Sequence, residues 1–448
     1  FLALGGPGRR LGRGRPRPNP AQLAWQKAEL GVVFHWDLHV FDGKRYHQAE
    51  NRRTPPPDPA IFAPDRYDID QWFEAVKGLG ARFALLTACH ETGFRLWQSE
   101  VNPFCLKAAP WRDGKADVVA DFVAAAHRHG VAPGLYYGAR WNARLGVRDF
   151  RVGERSPLSQ EEYNRLVEAE CRELATRYGE LFEIWFDGGI LTPEQGGPDV
   201  LPIFAEHQPR ALFYHSDQRR DARWAGNENG EVPYPCWSTV DPERVRIGAH
   251  DPDALGHGDP DGSAWCPAMA DAPLRSGGGR HEWFWEPGDE PAVLPLGRLL
   301  EMYERSVGRN ATLILGLAPD PHGLVPEPDL GRCREFGAAV ERLWGRPLAT
   351  IRCARHRVDL DPPQPAVIDR IVLRERIEDG QRVKRYGLDG RRADDGIWIK
   401  LGEGSAIGNR RIHRIRPAWL DRVRLNHWTF DGGPAVIEEF SLYGRPVS

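Results

Sequence analysis

The stretch YGELFEIWFDGG, residues 178–189, puts a carboxylate where chemistry is easily done. Leu181 to Phe186 is an apolar run that reads as a buried strand, Asp187 ends it, and Gly188 and Gly189 leave its approach open. A solvated turn is the plain reading. A rigidly held nucleophile is the other, because the sheet beneath fixes a carboxylate at a strand end. Glycosidic cleavage needs two such groups, one ionised and one protonated. Glu228, within RWAGNENGE at 223–231, is the best partner, with Glu231 next to test.

The surrounding text supplies elements able to hold such a pair. Short apolar runs at 30–36, 82–89, 131–137, 181–186, 211–215 and 311–318 read as buried strands. Between them lie helix-period stretches at 68–79, 117–129, 161–178 and 296–307. Gly80, Gly130 and Gly179 each follow a helix, where a left-handed residue is wanted. Such alternation predicts a parallel sheet covered by helices on both faces. More than 250 residues of it favour a (β/α)8-type barrel over an open doubly wound sheet. The segment 329–345 reads as the last barrel helix. After Pro347 the pattern changes to alternating runs with turn signals, which predicts an all-β sandwich. The expected organisation is a disordered tail over 1–20, a barrel over 21–346 and a β-sandwich over 347–448.

Barrel active sites sit at the C-terminal ends of the strands. Strand one ends in His35, Trp36 and Asp37, strand two in His90 and Glu91, and strand three in Tyr136 and Tyr137. Strand four gives Asp187, and the loop after strand five gives Arg223, Trp224, Asn227, Glu228 and Glu231. One such His would more often be a satisfied structural residue. Four rim positions that recur with Trp and Tyr among them point to a surface that grips hydroxyls.

Composition narrows the alternatives. The chain has 448 residues, 41% hydrophobic and 27% charged, and a formal net charge of −3, which gives no electrostatic reason to expect nucleic acid or an anionic membrane. No run approaches the roughly 18 apolar residues of a membrane span. Sixteen Trp suit either sugar binding or a large core. Seven scattered Cys without a CxxC pair argue against a disulfide framework or a zinc site, and no metal or cofactor is expected. The NAT at 310–312 is a formal glycosylation sequon but opens a predicted buried strand, so a structural role is expected. RSGGGR at 275–280 lacks the frame and the Lys of a phosphate loop and reads as a mobile loop.

Taken together, the segments GVVFHWDLHVFDG, ARFALLTACHETGFRLWQS, KADVVADFVAAAHRHGVAPGLYY, YGELFEIWFDGG, RWAGNENG, WCPAMADAPLR and SVGRNATLILGLAPDPHGLVPE resemble glycoside hydrolase family 29, the retaining α-L-fucosidases. RWAGNENG and WCPAMAD are similar to the branch preferring α-1,3/1,4-linked fucose. The resemblance implies an enzyme releasing fucose from an oligosaccharide or glycoprotein glycan, in an extracellular, periplasmic or lysosomal setting. By it, Asp187 is the nucleophile and Glu228 the acid/base. His35, Trp36, His90, Tyr137 and Trp185 belong to the sugar pocket, with Arg223 and Trp224 beside the acid/base. Glu50 is a looser match, and Trp283 and Trp285 are an aromatic wall or core.

Two departures mark this chain. The usual tandem His followed by Asp-Gly-Phe is His90, Glu91, Thr92, Gly93 and Phe94 here, and Asp37 stands where Gly is usual. Glu91 then either enters the pocket or turns away to pair with an Arg such as Arg95. Two rival readings stay open: a non-catalytic sugar-binding barrel, against which retention of both carboxylates argues, and a glycosidase for a related sugar such as α-L-galactose.

Overall fold

The computed structural model describes residues 14–276 and 283–446. The first thirteen residues of the expected tail and the glycine run 277–279 lie outside the described residues. Residues 14–19, expected within that tail, are held in place instead. Arg15 donates to the carbonyls of Gln381 and Pro260 and lies 3.9 Å from the Phe430 ring, a cation–π contact. Arg275, expected in a mobile loop, is buried and bridges Asp329 and Asp289.

Eight parallel strands form a nearly closed barrel. They are β1 (Leu30–Phe34), β2 (Phe83–Cys89), β3 (Ala132–Tyr137), β4 (Glu183–Phe186), β5 (Leu212–Tyr214), β6 (Arg223–Trp224), β7 (Ala268–Pro273) and β8 (Thr312–Leu317). Their order is β5-β4-β3-β2-β1-β8-β7-β6, so the seam falls between β5 and β6. Asp221 spans it, exchanging hydrogen bonds with the backbone of Phe213. The six strands read from apolar runs are all present. β6 and β7 were not expected: one is two residues long, and AMADAP carries small residues and proline rather than the branched and aromatic ones that mark strands.

The principal outer helices are α1 (Pro20–Ala28), α2 (Ile69–Leu79), α3 (Val118–Arg128), α4 (Gln160–Arg177), α5 (Leu201–His207), α6 (Leu296–Arg305) and α7 (Glu327–Trp344). Asp68, Asp117 and Ser159 cap three of them at the N-terminus. Gly80, Gly130 and Gly179 follow the same three with φ of 75°, 67° and 77°, as expected of the left-handed position. α1 packs at the N-terminal end of the barrel: Trp25 joins the lumen cluster of Val33, Leu85, Tyr136, Trp185 and Met269. Its indole donates to Glu183 at 2.8 Å, and burial pushes that carboxyl up to about 8.

From Ala349 the chain forms a seven-stranded antiparallel sheet module with its own core, including Ile368, Ile371, Leu388, Leu425 and Phe440. The strand Arg411–Thr429 carries it. Its first half pairs with Ala366–Glu375 and its second with Val383–Arg392 and Arg357–Leu360, so the sheet folds over that core.

Buried polar groups join module to barrel. Asn310 of the NAT triplet is 3% exposed, donates to Cys236 and Ser238, and accepts from the Asn409 amide at 2.7 Å. It is a structural joint, as its place at a strand start suggested. Glu29 lies between Arg374 and Arg410. Burial raises its carboxyl, but the two guanidinium groups outweigh that and hold it below the ordinary value. Glu29→Ala should lower the unfolding free energy by about 3–5 kcal/mol at pH 7, because the buried Arg410 loses its carboxylate partner and Arg374 is left with Glu439 alone. A depressed carboxyl contributes stability above its unfolded pKa and loses it as pH falls through the folded one. The gap between wild type and variant should therefore narrow on acidification, which urea titrations at a series of pH values would check.

Candidate active site

Asp187 follows β4 and sits in the barrel mouth, surrounded by protein but open to solvent on one side. Gly188 and Gly189 take φ of 64° and 87°, a turn only glycine makes without strain. Space demands it too, since a Cβ on Gly189 would come within 2.7 Å of Ile247 and 3.2 Å of His215. The Tyr136 hydroxyl lies close enough to Asp187 to favour its charged form. Burial raises the Asp187 carboxyl, Tyr136 and the Arg52 charge pull it back, and the charge of Glu228 pushes it up again. The two candidate catalytic carboxyls thus lie close enough to feel each other.

Around them is an aromatic cup. The His35 ring lies 5.6 Å from His90, 5.9 Å from Tyr136 and 4.9 Å from Trp283, and Phe284 meets His35, His39 and His90 edge-on. Trp185 stands 5.9 Å from Tyr136. Nδ1 of His35, Nδ1 of His90 and Nε1 of Trp185 are buried without a partner among the described residues. Buried polar atoms are normally satisfied, so three of them facing one cup suit a ligand rich in hydroxyls. Burial pushes His35 down to about 3 and lowers His90 well below the ordinary value, so both are neutral and can donate or accept.

Strand alternation corrects three expected pocket residues. Tyr137 turns away from the lumen and donates to Glu170 of α4 at 2.5 Å; its neighbour Tyr136 is the one at the site. Trp36 is fully buried, with its indole on the Asp320 carbonyl and its ring stacked on Tyr67. Arg223 holds the carbonyls of Leu255, Cys266 and Trp237, so it braces the loops rather than facing the mouth.

On the far side, Trp283 donates to Glu228 at 3.1 Å. Trp283, Phe284 and Trp285 all pack with the outer core, but Trp283 also joins the lumen cluster, and Trp283 and Phe284 are the two that meet His35. Trp224 donates to Asp271 of β7 at 2.7 Å. Burial raises Asp271 well above the ordinary range, the Trp224 hydrogen bond opposes this, and the nearby Glu228 and Asp187 charges add to it. Glu231 is the weaker acid/base candidate. Burial raises it, but hydrogen bonds from Arg298 and Arg305 outweigh that and leave it lowered, hence ionised. A general acid must hold a proton.

Glu91 faces the mouth side. Arg52 grips it with Nε at 2.8 Å and Nη2 at 2.5 Å, and Tyr46 donates at 3.0 Å. Arg95 is not its partner, being buried against Glu170. Arg52 also rests on the Trp141 ring at 4.2 Å. Glu50 is exposed on the short turn Gln48–Asn51. Asp37 caps the turn Leu38–Phe41, accepting from the Leu38 amide at 2.7 Å and from Thr92 Oγ at 2.5 Å, and burial pushes it up to about 7. Among the described residues, no group of three His, Cys, Asp or Glu is arranged to hold a metal ion.

A parallel barrel whose mouth joins paired carboxyls to a cup of neutral imidazoles and indoles defines a glycoside hydrolase. A family model described as alpha-L-fucosidase matches residues 17–342, and the chain belongs to that family. Alpha-L-fucosidase 1 of Arabidopsis thaliana is 29% identical over 438 residues, covering 89% of this chain and 82% of its own. A solved structure from Bacteroides thetaiotaomicron VPI-5482, named as a candidate alpha-L-fucosidase, superposes with a TM-score of 0.92 at 45% identity, covering 96% of this chain and 100% of that one. A Ruminococcus gnavus glycoside hydrolase family 29 fucosidase solved with fucose shares the fold at 22% identity, with a TM-score of 0.81 and coverage of 98% and 97%.

The Tyr136 and Arg52 contacts have a measurable consequence. Both favour ionised Asp187, so Tyr136→Phe and Arg52→Ala should each move the acid limb of the kcat/KM profile on an aryl fucoside to higher pH. Tyr136→Phe should also cost about ten- to a hundredfold in kcat/KM, the scale of a hydrogen bond to a charged group. Limbs that stay in place in both variants would show that neither group sets the charge of Asp187.

Proposed function

We propose that the chain releases terminal α-L-fucose from glycans by double displacement. Asp187 would attack the anomeric carbon while Glu228 protonates the departing glycosidic oxygen. Glu228 would then take a proton from water as that water cleaves the fucosyl–Asp187 ester, so the sugar leaves with its original configuration. The observation that carries this reading is the convergence of Asp187 and Glu228 on one cup in which three buried polar atoms have no partner among the described residues. Membership of the α-L-fucosidase family supports the sugar. Preference for α-1,3/1,4 linkages is supported by the RWAGNENG and WCPAMAD segments, which supply Trp224, Glu228 and Asp271 to the mouth.

Assignment of Glu228 as acid/base is supported by its place beside Trp283 at the mouth and by the arginine pair that holds Glu231 ionised. Retention requires the two carboxyls to lie roughly 5–5.5 Å apart. NMR of the first-formed sugar should then show α-L-fucose, and β-L-fucose as the initial product would overturn the mechanism.

Asp187→Ala should lose on the order of a thousandfold or more in kcat. Azide should restore part of it and yield β-L-fucosyl azide, since azide enters from the face that the carboxylate occupied. Glu228→Ala separates the second role. Natural glycans need a protonated leaving group, whereas activated aryl fucosides do not, so losses should be far larger on glycans. Equal losses on both substrates would move the role away from Glu228.

A further inference from the structure

At the end of the barrel opposite the mouth, the last residues of α1, α2 and α7 enclose a hollow of about 540 Å³. Small-molecule sites occupy roughly 300–1,000 Å³, so the space is large enough for a ligand. Leu30, at the start of β1, and Arg82, just before β2, line it from the barrel side. Arg410, which leads into the long strand of the C-terminal module, lines it from the other, so both parts of the chain build the wall.

Its deepest polar groups are hydrogen-bond donors. Trp344 is 4% exposed and Arg410 is 8% exposed, yet Nε1 of the indole and Nε of the guanidinium have no partner among the described residues. Both side chains pack on Tyr303 of α6: the Trp344 ring stands 5.2 Å from it, and Arg410 donates to its hydroxyl at 3.0 Å. Two buried donors that share a neighbour and a cavity need an acceptor brought from outside. The carbonyl ends of the bordering helices do not supply it. The Gly80 and Ala81 amides already bond the Lys77 and Val76 carbonyls, and the Gly345 amide bonds the Glu341 carbonyl.

Charge points the same way. Arg410 and Arg374 are answered by Glu29 and Glu439, which leaves the floor balanced. At the exposed rim, Lys77 and Arg82 make no ion pair among the described residues, and Glu341 is the carboxylate that opposes them. We propose that the hollow binds a small oxyanion, a carboxylate or a phosphate group, with Trp344 and Arg410 donating from the floor and Lys77 and Arg82 attracting it from the rim. Trp344 belongs to the barrel and Arg410 to the module, so a bound anion ties the two together and stabilises the folded chain.

The test is calorimetric titration of the full chain with sodium phosphate and, separately, with sodium acetate, chloride holding the ionic strength constant. Binding should saturate at one anion per chain. Saturation by acetate alone identifies a carboxylate site, saturation by phosphate alone a phosphate site, and saturation by both a general oxyanion site. Trp344→Phe keeps the ring against Tyr303 and removes the donor. It should weaken binding about tenfold or more, the scale of a hydrogen bond to a charged group. The double variant Lys77→Ala with Arg82→Ala alters only exposed side chains and should weaken binding severalfold, so it decides the matter if Trp344→Phe fails to fold. Titrations flat in both salts overturn the proposal, as does undiminished binding in a folded Trp344→Phe chain or, failing that, in the double variant.

Discussion

A parallel barrel strand sends every second side chain into the lumen and the others against the helices. At the C-terminal ends of the strands, that parity decides which residue meets a sugar and which meets a helix. Tyr136 and Tyr137 are the clearest pair: one hydroxyl reaches Asp187, the other Glu170 of α4. Strand β2 shows how the constraint is adjusted. Thr87 pairs with Tyr136 and Cys89 with Tyr137, so one extra residue is inserted opposite β3. Without that bulge His90 would carry the parity of the helix side; with it, the ring stacks on Tyr136 inside the cup.

Parity also explains what was legible in the sequence. Strands with continuous apolar runs, the helices between them and the glycines after three helices are local patterns, and the fold class was readable from them. Asp187 stood out as a candidate because it ends a buried strand before two glycines, and Glu228 as the carboxylate on the next rim loop. Tyr137 was mistaken for Tyr136 because adjacent tyrosines carry no sign of which faces inward, and Trp36 and Arg223 were misjudged for the same reason. Arg52, Tyr46 and Trp283 come from loops, where no periodicity reports direction. Asp271 stayed hidden because its strand is written in alanine and proline, and the Coulomb link to Asp187 and Glu228 exists only after folding.

Electrostatically the barrel interior is nearly silent. His35, His39 and His90 are neutral, burial pushes Glu183 up to about 8 at the N-terminal end, and Asp271 is raised by burial beside Trp224. Charge is confined to the mouth, where Arg52 answers Glu91 and lowers Asp187. In such a setting one cation governs the ionisation of the carboxylate beside it more strongly than it would in water. The loop carrying Arg52 is thus an electrical part of the site, although it belongs to neither the strands nor the main helices.

Asp37 and Thr92 are two of the three residues that depart from the usual pattern after strands one and two, the third being Glu91, and Thr92 donates to Asp37. Their hydrogen bond couples the two positions energetically. Restoring glycine at 37 alone would strand the Thr92 hydroxyl, and changing Thr92 alone would leave a buried carboxyl short of a donor. A transplant of sugar preference between relatives would have to carry both strand ends at once.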